Sequence, residues 1–208
     1  MQTKGVLVVV SGFSGAGKGT VMKALLEKYD NYALSVSATT RSPRPGEENG
    51  REYFFLTESQ FEDMIRNDEL IEHARYVDHY YGTPKKYVEE KMAAGKDVIL
   101  EIEIQGALNI KKKFPDALLV FIVPPTAEDL KKRLIGRGTE SAEVIEKRLR
   151  RAAEESDGMD SYDYIVVNDD VDTCVEDLHS LIRSSHFKES ANTDLVARMK
   201  QELHDMTK

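Results

Sequence analysis

The chain has 208 residues, 40% of them hydrophobic and 32% charged, the make-up of an ordinary folded protein with enough length for one sizeable core. Its 29 Lys and Arg stand against 37 Asp and Glu, a formal net charge of -8, which argues against general affinity for nucleic acid or an anionic membrane. One cysteine, Cys174, excludes a disulfide framework within the chain, and no apolar run approaches the about 20 residues of a membrane helix.

From the N-terminus, "MQTKGVLVVVSG" carries its apolar run straight into glycines, unlike a signal peptide, and with the lone thiol this gives the expectation of a cytoplasmic chain. Val6 to Val10 reads as a strand buried on both faces of a parallel sheet, and "KGTVMKALLEKY" as an amphipathic helix with Val21, Leu25 and Leu26 inward. Residues 37–87 break that rhythm. They hold the arginine loop "SATTRSPRPGEENGREY", a strand "EYFFL", a capping box at Thr57 to Gln60 before "FEDMIRN", and "YYGTP", where Thr83 and Pro84 predict a helix start. Apolar runs return at "DVILEIEI" (97–104), "ALLVFIV" (117–123) and "YIVVN" (164–168), with helical patterns between them. The alternation predicts an α/β fold, a doubly wound parallel sheet flanked by helices. Residues 131–151 carry eight Lys and Arg against three Glu and read as two helices around "GRGTES". Clustering of one sign in an acidic chain favours anion binding over a merely solvated face. The last twenty residues are charge-balanced and weakly amphipathic, and no function is assigned to them.

"GFSGAGK", Gly12 to Lys18, has the phosphate-loop spacing G-x-x-x-x-G-K, directly after a strand and at the opening of a helix. Such glycines let successive N–H groups converge on phosphate oxygens, and Lys18 reaches the outer phosphates. Gly12, Ser14, Gly15, Ala16, Gly17, Lys18, Gly19 and Thr20 are therefore expected to bind a nucleoside triphosphate. Gly19 follows the lysine where many such loops have Ser or Thr, which leaves Thr20 as the nearest hydroxyl for a metal. A dinucleotide-binding G-x-G-x-x-G is not present.

Together, "SGFSGAGKGT", "SATTRSPRPGEENGREYFF", "LIEHARYVDHYYGTP", "DVILEIEIQGA", "PPTAEDLKKRLIGRGTES" and "YDYIVVNDD" resemble the guanylate kinase family, nucleoside monophosphate kinases. They occur in family order over residues 6–170. The resemblance implies a phosphate-loop kinase fold that moves the γ-phosphoryl group of ATP to GMP, with dGMP as a second acceptor, and uses Mg2+. It implies one domain over 1–187: a core of 1–36, 88–127 and 158–187, a GMP-binding subdomain over 37–87, and a mobile helical lid over 128–157. Residues 188–208 are then a C-terminal helical extension. It leaves homo-oligomerisation open and implies neither a nucleic acid nor a membrane as partner.

By the same resemblance Arg41 and Arg44 clamp the GMP phosphate with Glu47, Tyr53 and Tyr81, whereas Arg51 matches no family contact and is read as surface charge. Planar guanidinium forks suit a group carrying close to two charges, and Pro43 and Pro45 reduce the entropy lost in holding the loop. Glu72 is placed on the guanine N1 and N2 donors, Ser37 on O6, and Thr83 and Glu103 near the exocyclic amine. Glu101 is placed on magnesium through water, Lys18, Arg133, Arg137 and Arg148 on the moving phosphoryl group, and Asn168 on the adenine side. Glu101 and Glu103 are read as one face of a strand, where the family more often has aspartate, and Phe13 stands where it usually has proline. Two rival readings remain at this point. One is a non-catalytic guanylate-kinase-like binding module, which would lose the lysine and lid arginines that this chain keeps. The other is a kinase for a different phosphorylated acceptor, which Ser37 and Glu72 oppose.

Overall fold

The computed structural model describes residues 4–76, 78–136 and 141–208. The chain opens with β1 (Leu7–Gly12), α1 (Lys18–Lys28) and β2 (Tyr32–Leu34). A second group follows: β3 (Ser37–Thr39), β4 (Tyr53–Phe55), α2 (Glu58–Arg66), β5 (Leu70–Tyr76) and β6 (His79–Pro84). Then come α3 (Lys85–Ala93), β7 (Asp97–Glu101), α4 (Ile104–Lys113), β8 (Leu118–Val123), α5 (Ala127–Gly136) and α6 (Ala142–Ser156). The chain closes with β9 (Tyr164–Val167), α7 (Val171–Ser185) and α8 (Thr193–Met206).

The apolar runs form one five-stranded sheet in the order β2-β7-β1-β8-β9, and its pairings are parallel. Alternate residues of β1 feed opposite layers. Val8 and Val10 join Met22, Leu25, Leu178 and Ile182 beneath α1 and α7, while Leu7 and Val9 join Val88, Ala107 and Ile110 beneath α3 and α4. That two-sided burial is why these strands read as continuous apolar runs. The second sheet, β4-β3-β6-β5, is smaller and mixed, with β3 parallel to β4 and antiparallel to β6. Phe61 of α2 closes it at 0% exposure, and the capping box forms as expected: the Thr57 amide donates to Gln60 Oε1 at 2.9 Å and the Gln60 amide to Thr57 Oγ1 at 3.2 Å.

Two expected boundaries differ. The strand expected over 97–104 ends at Glu101, and Ile104 opens α4 with Glu103 at its N-cap. Glu101 and Glu103 therefore do not share one strand face. The helix expected to start at Thr83 starts at Lys85, because Thr83 is still strand and fully buried. At β6 the buried Thr83, bonded to Glu72, stays in the sheet against a local helix signal, whereas at β7 the chain leaves the sheet although its alternating strand pattern continues.

Candidate active site

The phosphate loop turns between β1 and α1, with Gly15 at φ +96° and Gly17 at φ +90°, conformations that disfavour side chains. A cavity of about 260 Å³ opens there, lined by Phe13, Ser14, Gly15, Gly17, Lys18, Gly19, Thr20 and Glu101. Lys18 turns back on its own loop, donating to the Gly12 carbonyl at 2.5 Å and the Phe13 carbonyl at 3.3 Å. Glu101 ends β7 beside it with access to solvent. Desolvation pushes its carboxyl above the usual range, and Lys18 beside it opposes that shift.

The basic helices are brought to the same loop. Arg133 of α5 donates to the Ala16 carbonyl at 3.3 Å and to the Asn168 carbonyl at 2.7 Å. Arg148 of α6 donates to the Ser14 hydroxyl. Arg137 lies outside the described residues. Asn168 is only 3% exposed, and its amide donates to the Ala16 carbonyl at 2.7 Å. Phe13, the departure from proline, packs edge-on against Phe121 at 5.0 Å and beside the cluster of Leu130 and Leu134.

The second sheet gathers the residues expected on the acceptor side. Arg41 pairs with Glu47 at 2.9 Å, and its guanidinium lies 5.3 Å from the Tyr53 ring centre and 5.7 Å from that of Phe55. The Arg44 backbone amide donates to Glu47 at 2.7 Å. That amide first, and the Arg41 guanidinium after it, hold the Glu47 carboxyl below its usual range. Tyr53 and Tyr81 meet edge-on at 6.0 Å, and Ser37 starts β3 in register with Tyr53. Arg51 is exposed and pairs with Glu48 and Glu52, in keeping with a surface charge. Read alone, Glu72 would be an exposed strand residue. It is 6% exposed instead and accepts a hydrogen bond from the buried Thr83 hydroxyl at 2.9 Å. Burial pushes its carboxyl up, opposed by Thr83 and by Lys113.

Glu103 stands apart from this group, in an ion pair with Arg151 of α6 at 3.0 Å, and Arg151 also holds Glu155 at 2.7 Å. Sequence reasoning missed Arg151, although Arg148, Arg151 and Glu155 recur at spacings that share one helix face. It also missed Gly106 and Lys113 on α4. A Cβ at Gly106 would lie 3.2 Å from Glu72 Oε2, a tight contact that glycine avoids where α4 passes that carboxylate, and Lys113 donates to the Ile71 carbonyl at 3.1 Å. The lone glycine in an otherwise regular helix was the available signal.

A glycine-rich phosphate-loop turn, a buried carboxylate and an arginine–tyrosine cluster in one chain agree with what the comparisons find. The guanylate kinase family model matches residues 4–185. The chain belongs to the guanylate kinase family. It is 48% identical over 202 residues to a guanylate kinase of Caldanaerobacter subterraneus subsp. tengcongensis, covering 97% of this chain and 98% of the relative. To a guanylate kinase of Lactococcus lactis subsp. lactis it is 51% identical over 188 residues, covering 90% and 92%. The crystal structure of guanylate kinase from Anaplasma phagocytophilum superposes with a TM-score of 0.72 at 32% identity, over 90% of this chain and 89% of that one. This guanylate kinase relationship spans both sheets and both basic helices.

Proposed function

We propose that this chain transfers the γ-phosphoryl group of ATP to GMP, giving ADP and GDP. The observation that carries the choice of acceptor is the buried Glu72–Thr83 pair. A phosphate loop alone would serve any triphosphate, but a buried carboxylate needs donors, and guanine offers N1–H and N2–H side by side. Ser37 is assigned to O6, and Thr83, through Glu72, to the same edge. Each polar group left unpaired by adenine costs about 1–3 kcal/mol, so two such contacts separate GMP from AMP.

Arg41 and Arg44 receive the GMP phosphate, with Tyr53 and Tyr81 beside it, and Glu47 holds Arg41 ready at 2.9 Å. The attacking phosphate oxygen is already ionised, so no general base is required. The chemistry is positioning and neutralisation of charge on the moving group. Lys18 releases the Gly12 and Phe13 carbonyls and takes phosphate oxygens, while Arg148 exchanges the Ser14 hydroxyl for them; Arg133 and Arg137 are assigned to the same charge. Helices α5 and α6 act as the lid and the 37–87 sheet as the acceptor-binding unit, so closure excludes water as a competing acceptor. Magnesium fits the cleft, since Glu101 and Thr20 line one cavity with Lys18 and a nucleotide-bound ion needs only one or two protein oxygens. When bound it supplies charge neutralisation between the outer phosphates. Among the described residues no helix is long and apolar enough to cross a membrane, and we place the enzyme in the cytoplasm with its one cysteine, Cys174, reduced and buried.

The test is ADP release from ATP and magnesium with GMP, dGMP, AMP, CMP and dTMP offered singly. The expected result is turnover with the guanine acceptors only. Turnover with AMP or a pyrimidine acceptor would overturn the roles of Ser37 and Glu72, and nucleotide binding without turnover would favour a binding module.

A further inference from the structure

We propose that Asn168 is a positioning residue for the phosphate loop: from behind, its side-chain amide holds the Ala16 carbonyl out of the phosphate cradle, and Arg133 ties helix α5 to the same carbonyl. The inference rests on the reading of that loop as the triphosphate site, and it changes how Asn168 serves that site, from a contact with adenine to a strut under the loop.

The physical need is plain from the loop's shape. An anion cradle works because N–H groups point inward, so each carbonyl that points outward must find a donor elsewhere. The Gly12 and Phe13 carbonyls are served by Lys18, from within the loop itself. The Ala16 carbonyl is served by two donors that sit behind the loop, Asn168 Nδ2 at 2.7 Å and Arg133 Nη1 at 3.3 Å. Asn168 is itself fixed three ways. It is buried, its backbone amide donates to the Val123 carbonyl at 2.7 Å, and its carbonyl accepts from Arg133 Nη2 at 2.7 Å. The loop rests directly on that amide, because a Cβ at Gly17 would lie 2.4 Å from Asn168 Nδ2. Burial also leaves the side chain little surface for a base to touch. Its Oδ1 has no partner among the described residues, so the amide is held by its donor end alone. Arg133, reaching both Ala16 and Asn168, makes the base of α5 part of the same joint, so the loop and the first basic helix share one set of hydrogen bonds.

The experiment compares the unaltered chain with Asn168→Asp, which keeps the shape but sets a carboxylate oxygen against a carbonyl. Calorimetry gives affinities for the magnesium complex of a non-hydrolysable ATP analogue and for GMP, and displacement of a fluorescent ATP analogue gives the affinity for magnesium tripolyphosphate, which has no base. A strut predicts that the ATP analogue and tripolyphosphate weaken together, ten-fold or more, while GMP changes less than two-fold. Asn168→Ala, which removes the donor without adding charge, carries the same prediction should the aspartate variant not fold. A loss confined to the ATP analogue means that Asn168 reads the base and overturns the proposal. An equal loss for GMP, marking general disruption, overturns it too, as does no loss at all. An unaltered chain that binds neither triphosphate removes the reading of the loop and the strut with it.

Discussion

Glu72 carries opposed demands: burial raises the cost of its charge, yet in the role proposed for it the charge is what guanine's two donors require. Its carboxyl holds a proton to higher pH in the folded chain than in the unfolded one. The wild-type chain therefore loses stability, relative to a neutral glutamine at 72, as pH rises through the raised folded value. Glu72→Gln is accordingly expected to unfold at higher temperature at pH 8, with the gap closing as pH falls below the ordinary glutamate range, while GMP affinity drops ten-fold or more. Thermal scans across pH beside GMP titrations check both halves; a variant that keeps GMP affinity would remove Glu72 from guanine recognition. Arg41 makes a second test. Glu47→Gln frees a guanidinium whose partner is only 17% exposed, and is expected to raise KM for GMP several-fold with kcat nearly unchanged. Arg41→Lys is expected to cost more, because a point charge cannot replace a planar fork. Lys18→Met is expected to lower kcat by about 10²–10³-fold, read by single-turnover phosphoryl transfer. The phosphate loop and the arginine loop were legible because each depends on residue types at fixed local spacing. The burial of Glu72 was not, since Thr83 and Gly106 approach it from other elements, and no pattern inside "LIEHARY" encodes them.

At the scale of elements, α2 is held by its capping box and by one wholly buried aromatic, Phe61. Thr57→Ala removes the cap and is expected to cost about 1 kcal/mol in denaturant unfolding. Because α2 packs under the acceptor sheet, KM for GMP is expected to rise while KM for ATP holds. The capping box was readable because both its bonds join residues three apart. The ends of β7 and β6 were not. Ile102 and Ile104 continue an alternating pattern, but the chain leaves the sheet after Glu101, and the Ile102 carbonyl accepts from the Ser11 hydroxyl at 2.6 Å. That bond lies 91 residues away in sequence, where a local reading has no access to it.

Across the whole molecule, α8 stands apart. It has no buried residue, and Leu195, Met199 and Leu203 on it are exposed. Removing residues 193–208 while keeping Asn192, whose amide donates to the His186 and Lys188 carbonyls, is expected to leave the affinities for ATP and GMP within two-fold and the unfolding temperature nearly unchanged. A large loss in either would mean that α8 braces the catalytic sheet. The parallel core was visible in the apolar runs and the resemblance brought Arg133 and Arg148 to the side of Lys18, but the oxygens they hold were not legible, because arginines on a basic helix do not announce which acceptor they serve.

Those arginines, with Lys18, have a thermal consequence. Lys18 holds the Gly12 and Phe13 carbonyls of the loop, Arg133 holds the loop's Ala16 carbonyl and that of Asn168, and Arg148 holds the Ser14 hydroxyl. On the proposed roles, nucleotide does not meet bare charges there; Lys18 and Arg148 exchange the protein's own oxygens for phosphate oxygens. The heat released on binding is therefore expected to fall short of what the count of new contacts implies, since the bonds from Lys18 and Arg148 replace old ones.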